Sequence, residues 1–165
     1  MLAEHDLKSL QIRISVQNDQ HAFAQLFISC TPFLSQFAHS IIKNKELAEE
    51  IVSDVFIRIW QKRATLEQVE NFKLYLYVST KNTALNYLSR HYRKDTISID
   101  EMAMNIPTSP YNPEQLLITS ELARKISEEI QKLPPACKII FKLAKEDGLK
   151  YNEIASLLNI SVKTI

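Results

Sequence analysis

The stretch NFKLYLYVSTKNTALNYLSRHYRK, residues 71–94, combines positive charge with aromatic side chains. It holds five Lys or Arg residues, no Asp or Glu, and the rings of Phe72, Tyr75, Tyr77, Tyr87 and Tyr92. If the stretch is a helix, one side carries the apolar residues Leu74, Val78, Leu85 and Leu88. Another side carries the polar and basic residues Ser79, Asn82, Asn86, Arg90 and Arg93. Cations follow phosphates, rings stack on unpaired bases and amides read base edges, so the pattern favours single-stranded nucleic acid. An amphipathic helix with a solvated basic face is the alternative.

The composition predicts an all-α protein of one medium domain or two small ones. The 165 residues are 45% hydrophobic and 24% charged, which is enough apolar material for a core. The single glycine argues against hairpin-rich sheets and against a Gly-rich phosphate loop. The net charge is only +1, but residues 46–70 are acidic and the next segment is basic, which suggests two different partners.

The remaining chemistry of the sequence argues against an enzyme. Cys30 and Cys137 lie far apart in apolar patterns, which predicts two buried thiols in a reducing compartment. The sequence shows no metal-ligand cluster, paired carboxylates or nucleophile with a base, so we expect no metal, no cofactor and no catalysis. It has no signal peptide or membrane-spanning run, which predicts a cytoplasmic protein.

Helical spacing of apolar residues runs through the front half. We expect residues 1–18 to be a short helix or a frayed lead-in, and Asp19 to cap the next helix. Pro32 should divide or bend that helix. Asn44 should cap a helix over residues 46–63 with an outward polar face of Glu50, Ser53, Asp54, Arg58 and Lys62. The alternative is that this polar face is only solvated and binds no partner. Residues 64–70 read as a polar connector.

A proline-rich segment separates the front half from the C-terminal part. Pro107, Pro110 and Pro113 lie among Ser, Thr and Asn, which predicts a linker over residues 95–113. The pattern therefore divides the chain into a helical domain (1–94), a linker (95–113) and a second helical domain (114–165). In the last, Pro135 should open a helix that ends near Gly148.

The segment EIASLLNISVKTI has the form of a helix-turn-helix. Ala155 lets two helices approach, Asn159 can take the left-handed turn, and Ser161 can cap the second helix. Ser161, Lys163 and Thr164 would then reach phosphates and base edges in the major groove. Two-helix corners without a DNA role look similar. Because only about one turn of the second helix is present, we expect the sequence to be truncated at Ile165. We also expect the helix-turn-helix as given to read duplex DNA poorly.

Three motifs together resemble the extracytoplasmic-function (ECF) group of bacterial sigma-70-family factors, over residues 21–165. AEEIVSDVFIRIW is similar to the family's core-binding helix. FKLYLYVSTKNTALNYLSR is similar to its promoter-melting helix. LPPACKIIFKLAKEDGLKYNEIASLLNISVKTI resembles its C-terminal DNA-binding domain.

The resemblance implies a sigma factor that binds core RNA polymerase and directs it to promoters. The clamp helices of the β′ subunit would contact Glu50, Ser53, Asp54 and Arg58. The residues that would capture unpaired bases of the downstream element are Asn71, Phe72, Lys73, Lys81, Asn82, Asn86, Arg90, Arg93 and Lys94. The upstream element would be read as duplex by Ser161, Lys163 and Thr164. An anti-sigma factor is implied as a further partner.

The chain departs from the family's usual residues at four positions. The family often has Gln at Ser53, in the polymerase-binding helix, and Ser at Lys150, at the start of the first helix of the helix-turn-helix. It often has Asp at Asn86 and Arg at Ser89, so this chain lacks a charge of each sign there and the family's base preference cannot be transferred to it. A LuxR-type transcription regulator is the alternative function, because its C-terminal helix-turn-helix looks similar, although its N-terminal part is usually a sensor or receiver domain. A helical protein-interaction module is a further alternative, and it would show no salt-dependent DNA affinity.

Overall fold

All elements that the structure describes are helices. The computed structural model describes residues 2–92 and 120–165, with side chains for 2–90 and 125–165. The first range contains the helices α1 (Glu4–Gln17), α2 (Gln20–Ile42), α3 (Lys45–Gln61) and α4 (Phe72–Tyr92). The second range contains α5 (Ser120–Gln131), α6 (Pro135–Phe141) and α7 (Tyr151–Leu158). The predicted all-α class is confirmed, whereas the expected linker, 95–113, lies outside the described residues.

Helix α2 is the centre of the N-terminal helices and packs against α1, α3 and α4. Its buried residues recur every three or four positions: Ala22, Leu26, Cys30, Leu34, Phe37, Ala38 and Ile41. The ring of Phe37 meets Tyr77 of α4 edge to face, with 5.1 Å between ring centroids. Within the described residues, no helix is long and apolar enough to cross a bilayer.

Side-chain caps fix where α2 and α3 begin, as the sequence predicts. An Asp19 carboxylate oxygen accepts a hydrogen bond from the Ala22 amide at 3.0 Å. The Asn44 amide oxygen accepts one from the Leu47 amide at 2.9 Å. Each cap satisfies a backbone donor that the first helical turn leaves without an intrahelical partner.

Pro32 does not divide α2, so of the two predicted possibilities, two helices or one bent helix, the first is excluded. The helix runs from Gln20 to Ile42 with Pro32 inside it. Proline deprives the carbonyl of Ile28, four residues earlier, of its usual donor. Ile28 is 72% exposed and Pro32 is also exposed. The carbonyl that lost its partner therefore lies on the side of the helix that water reaches, where the loss costs little.

The first helix and the connector are more ordered than the sequence suggests. α1 is a full helix that buries Leu7, Leu10, Gln11 and Ile14. The connector forms a 3-10 helix over Arg63–Gln68 that packs against α1. The buried Gln11 side-chain amide donates hydrogen bonds to the backbone oxygens of Leu66 and Val69. This amide holds the connector in place just before α4 begins.

The C-terminal helices begin and end at the predicted residues in most respects. Pro135 opens α6, and Gly148 has the left-handed backbone angle φ of +71° that an L side chain rarely adopts. Between them α6 gives way to a π-helical turn, Lys142–Glu146, which the sequence does not predict. Asn159 ends α7 with φ of +56°, as expected for the turn of the helix-turn-helix.

The two cysteines differ in environment. Cys30 is fully buried in α2, as predicted, and burial raises the pKa of its thiol to about 12. Cys137 is exposed on α6, so the prediction of a buried thiol is wrong there. The apolar pattern around Cys137 predicts which residues share a face of α6. It does not predict which face the rest of the protein covers.

We expect the charge of Asp19 to stabilise the fold at neutral pH. The Ala22 amide, and then the Arg13 guanidinium at 2.7 Å, lower the pKa of Asp19 below its ordinary value of 3.8. A lowered folded-state pKa stabilises the protein above 3.8, and this contribution is lost as the pH falls through the lower value. Urea unfolding of wild type and Asp19→Asn should therefore differ at pH 7 and converge in acid. An exposed carboxylate, Asp54→Asn, is the control. A difference for Asp19→Asn that stays constant with pH would contradict this role.

Candidate nucleic-acid interface

The candidate DNA-binding residues on α4 lie on two opposite sides of the helix. Lys73 and Lys81 share one side with Tyr77, at spacings of four residues. Asn82 lies nine residues after Lys73, about two and a half turns at ~3.6 residues per turn, and so points the opposite way. We call residues 73, 77 and 81 the covered stripe, and residues 82, 86 and 90 the open stripe.

The open stripe is exposed. Asn82, Asn86 and Arg90 all face solvent. A groove of about 110 Å³ runs between α3 and α4, and Asn86 and Arg90 line it together with Glu50, Asp54 and Arg58 of α3. This surface offers two amides and a guanidinium group at neighbouring turns of one helix. The predictions for Arg93 and Lys94 lie outside the described residues.

The covered stripe contacts the C-terminal helices. The Lys73 ammonium donates to the backbone oxygen of Asp147 at 2.9 Å, and the Lys81 ammonium donates to that of Leu157 at 2.7 Å. Burial lowers the pKa of Lys81. Just before the helix, the Asn71 side-chain amide donates to the Glu153 carboxylate at 2.7 Å, while its oxygen caps the Leu74 amide. Three candidate DNA-binding residues are therefore engaged within the molecule.

Two of the aromatic rings that the sequence offered for base stacking are buried. Phe72 is 4% exposed and Tyr77 is fully buried. The Tyr77 hydroxyl donates to an Asp147 carboxylate oxygen at 2.6 Å. Burial, and then the neighbouring Asp147, raise the pKa of this hydroxyl well above its usual value. In this conformation neither ring presents a face to a base, whereas Tyr75 and Tyr87 are half-buried.

A buried polar cluster at the C-terminal end of this contact was not predicted. The Asp147 carboxylate and the Lys142 ammonium lie 3.2 Å apart, and both side chains are almost completely buried. Lys142 also approaches Glu146 at 3.3 Å and lies 5.1 Å from the centre of the Phe33 ring of α2. In the sequence, these residues look like an ordinary charged helix end. In the folded chain, Phe33 of α2 lies against Lys142 and Tyr77 of α4 against Asp147.

The acidic face of α3 is open to solvent. Glu50, Ser53, Asp54 and Arg58 are all exposed. Arg58 donates to the Thr83 hydroxyl of α4 at 3.3 Å, and Ser53 to the Glu49 carbonyl within α3. Beside this face lies an apolar cleft of about 340 Å³ that includes Phe27, Ile57 and Trp60. The face thus combines carboxylates with accessible apolar surface.

The candidate duplex-reading residues lie together at the end of the chain. Ser161, Lys163 and Thr164 are exposed. The Ser161 hydroxyl oxygen accepts from the Thr164 amide at 3.1 Å, as in a helix N-cap. The side chain of Glu153 caps α7 by accepting from the Lys150 amide at 2.8 Å. Lys150 has no acceptor atom of its own for the reciprocal bond.

Two parts of the chain match known protein families. Residues 26–94 match the family described as Sigma-70 region 2, which covers most of α2, all of α3 and the whole of α4. Residues 123–165 match the family described as Sigma-70, region 4, which covers α6, α7 and the turn after them. Neither match supports the LuxR-type alternative.

Curated relatives carry related names. A probable RNA polymerase sigma factor RfaY from Xanthomonas campestris is 30% identical over 86% of this chain and 36% of its own length. The ECF RNA polymerase sigma-E factor of Escherichia coli K12 is 26% identical over 90% of this chain and 81% of its own. The ECF RNA polymerase sigma factor SigE of Mycolicibacterium smegmatis is 26% identical over 79% of this chain and 50% of its own.

The helices that carry the candidate residues, α3 and α4, lie inside the first matched region, and the candidate duplex-reading residues lie inside the second. The chain therefore belongs to the sigma-70 family, in its extracytoplasmic-function group, whose members are sigma factors that direct transcription initiation.

Proposed function

We propose that this chain directs core RNA polymerase to promoters through a division of labour between its two parts. Residues 1–94 form the domain that binds polymerase and opens promoter DNA. Residues 95–113 link it to residues 114–165, the domain that reads upstream duplex. The observation that carries the proposal is the pair of neighbouring exposed surfaces, acidic on α3 and amide-rich and basic on α4. The protein acts in the cytoplasm as an initiation factor without catalytic chemistry, and an anti-sigma factor is a further partner.

The polymerase-binding surface is the outward face of α3. Glu50, Ser53, Asp54 and Arg58 contact the clamp helices of the β′ subunit. The adjoining apolar cleft supports this assignment, because protein interfaces combine an apolar centre with a polar rim. Ile57, which is 54% exposed between the polar residues, can supply part of that centre.

The open stripe of α4 is the surface that meets unpaired bases first. Asn82, Asn86 and Arg90 are accessible without any rearrangement. Even a base stacked on an aromatic side chain gains only about 1–3 kcal/mol. Opening one base-pair step costs about the same. Capture of one or two bases therefore cannot melt a promoter, and the polymerase must hold the rest of the bubble open.

Reversing charge on α3 should prevent assembly with polymerase. In Glu50→Lys/Asp54→Lys, two carboxylates that face solvent become cations, so the fold should survive while the contact becomes repulsive. We expect loss of the protein from pull-downs with core polymerase and loss of promoter-specific transcription in vitro. Glu67→Lys/Glu70→Lys makes the same charge change on the exposed connector and should assemble normally. Normal assembly of the α3 variant with core polymerase would show that this face does not contact the clamp helices.

Removing cations at the end of α4 should weaken single-strand binding. We expect Arg90→Ala/Arg93→Ala/Lys94→Ala to bind a fluorescent single-stranded promoter oligonucleotide more weakly and with a shallower salt dependence. Each cation that contacts a phosphate contributes about 0.7 to the slope on single strands. The control Lys43→Ala/Lys45→Ala/Lys62→Ala removes three exposed cations at the end of α2 and at the two ends of α3. Equal anisotropy curves for the two triple variants would contradict a specific role for the end of α4.

A further inference from the structure

We propose that Asn86 makes the open stripe of α4 selective for adenine. The downstream element of this factor would then carry an adenine where the unpaired strand crosses the groove between α3 and α4. The inference rests on the proposed single-strand function of α4 and names the base that this function prefers.

The side chains of Asn82 and Asn86 have no structural task within the described part of the chain. Both are exposed, and neither side chain forms a hydrogen bond with another described residue. By contrast, the side-chain oxygens of Asn44 and Asn71 cap the starts of α3 and α4. Asparagine is a poor helix former away from a helix end. Two free asparagines in the interior of α4 therefore indicate a role in binding, because the local structure gains nothing from them.

Asn86 differs from Asn82 because it also lines the groove between α3 and α4. The α3 side of this groove carries the carboxylates of Glu50 and Asp54, and the half-buried Tyr87 lines the same space. A base that enters the groove therefore meets a side-chain amide, two carboxylates and an aromatic ring. Because carboxylates accept hydrogen bonds and repel carbonyl oxygens, the groove favours bases that present an amino group.

Among the bases with an amino group, adenine matches a side-chain amide best. Its amino group lies between two ring nitrogens, N1 and N7, so an amide can accept from the amino group and donate to a ring nitrogen on either side. The amino group of cytosine has a ring nitrogen on one side and a C5–H group on the other, so only one side offers this pair. Guanine and thymine present carbonyl oxygens, and Glu50 and Asp54 already supply acceptors there. The Asn86 amide therefore pairs with adenine in more orientations than with any other base.

The two arginines of the groove define the competing result, because arginine usually selects guanine. Arg58 donates to the Thr83 hydroxyl at 3.3 Å, which holds its guanidinium against α4. Arg90 lies one helical turn beyond Asn86, where it can contact a phosphate of the same strand. If either arginine read the base in this groove, guanine rather than adenine would bind most tightly.

Holoenzyme assembled from core polymerase and the full chain tests the preference. The probes are fluorescein-labelled oligothymidines that differ only in one central base, which is A, C, G or T, and core polymerase alone gives the background. One good bidentate pair discriminates against a wrong base by roughly 5- to 150-fold. We expect the adenine probe to bind about fivefold more tightly than the others, at the low end of this range because water reaches the groove.

Two isosteric variants separate base reading from charge. Asn86→Asp and Asn82→Asp each add one negative charge to the open stripe, so both weaken the attraction to phosphates alike. On the C5–H side of the cytosine amino group a carboxylate faces no second acceptor, whereas on either side of the adenine amino group it meets a ring nitrogen. We expect Asn86→Asp to bind the cytosine probe at least as tightly as the adenine probe. Asn82→Asp should bind every probe more weakly and keep the adenine preference.

The outcomes separate the inference from the function on which it rests. Equal binding of all probes by wild type, a preference for guanine, or an adenine preference that survives Asn86→Asp would each overturn the role of Asn86. In those cases, binding above the background of core polymerase would still support single-strand capture by the factor. If no probe binds above that background, both the single-strand function of α4 and its base preference are overturned.

Discussion

The hydrogen bond from Tyr77 to Asp147 joins two parts of the molecule that the chain separates by seventy residues. It links the buried side of α4 to a turn in which Lys142 and Asp147 are buried as an ion pair. Burying such a pair costs solvation on both partners, so it persists only where further hydrogen bonds satisfy it. The Tyr77 hydroxyl supplies one of these bonds, and together with the bonds from Asn71, Lys73 and Lys81 it joins the two parts.

Helix α4 is therefore covered on all sides but one. Its apolar residues pack on α2, the covered stripe meets the C-terminal helices, and among its side chains up to Arg90 only the open stripe beside α3 is fully exposed. The free surfaces of α3 and α4 adjoin at a shared groove. This arrangement places the candidate polymerase-binding residues and the open stripe on neighbouring helices, while Lys73 and Lys81 of α4 bind backbone oxygens of the C-terminal part.

Local signals were sufficient for much of the fold. Asp19 and Asn44 predicted the starts of two helices, because short polar side chains accept from backbone donors that a first turn leaves unpaired. Gly148 and Asn159 predicted left-handed turns for a steric reason that is also local. Pro32 left a divided and a bent helix both possible, because the cost of proline in a helix depends on whether the carbonyl that loses its donor is buried or exposed, and sequence spacing does not reveal that.

The sequence by itself determined the helical class, the family and the residues that share each face of a helix. The spacing of apolar residues carries that information because it depends only on the geometry of a single helix. Only the tertiary structure decided what covers each face: Tyr77 and Phe72 became core, Cys137 stayed exposed, and Lys73 and Lys81 came to bind carbonyl oxygens of the C-terminal helices. Such contacts depend on the packing of segments far apart in the chain, which no local pattern encodes.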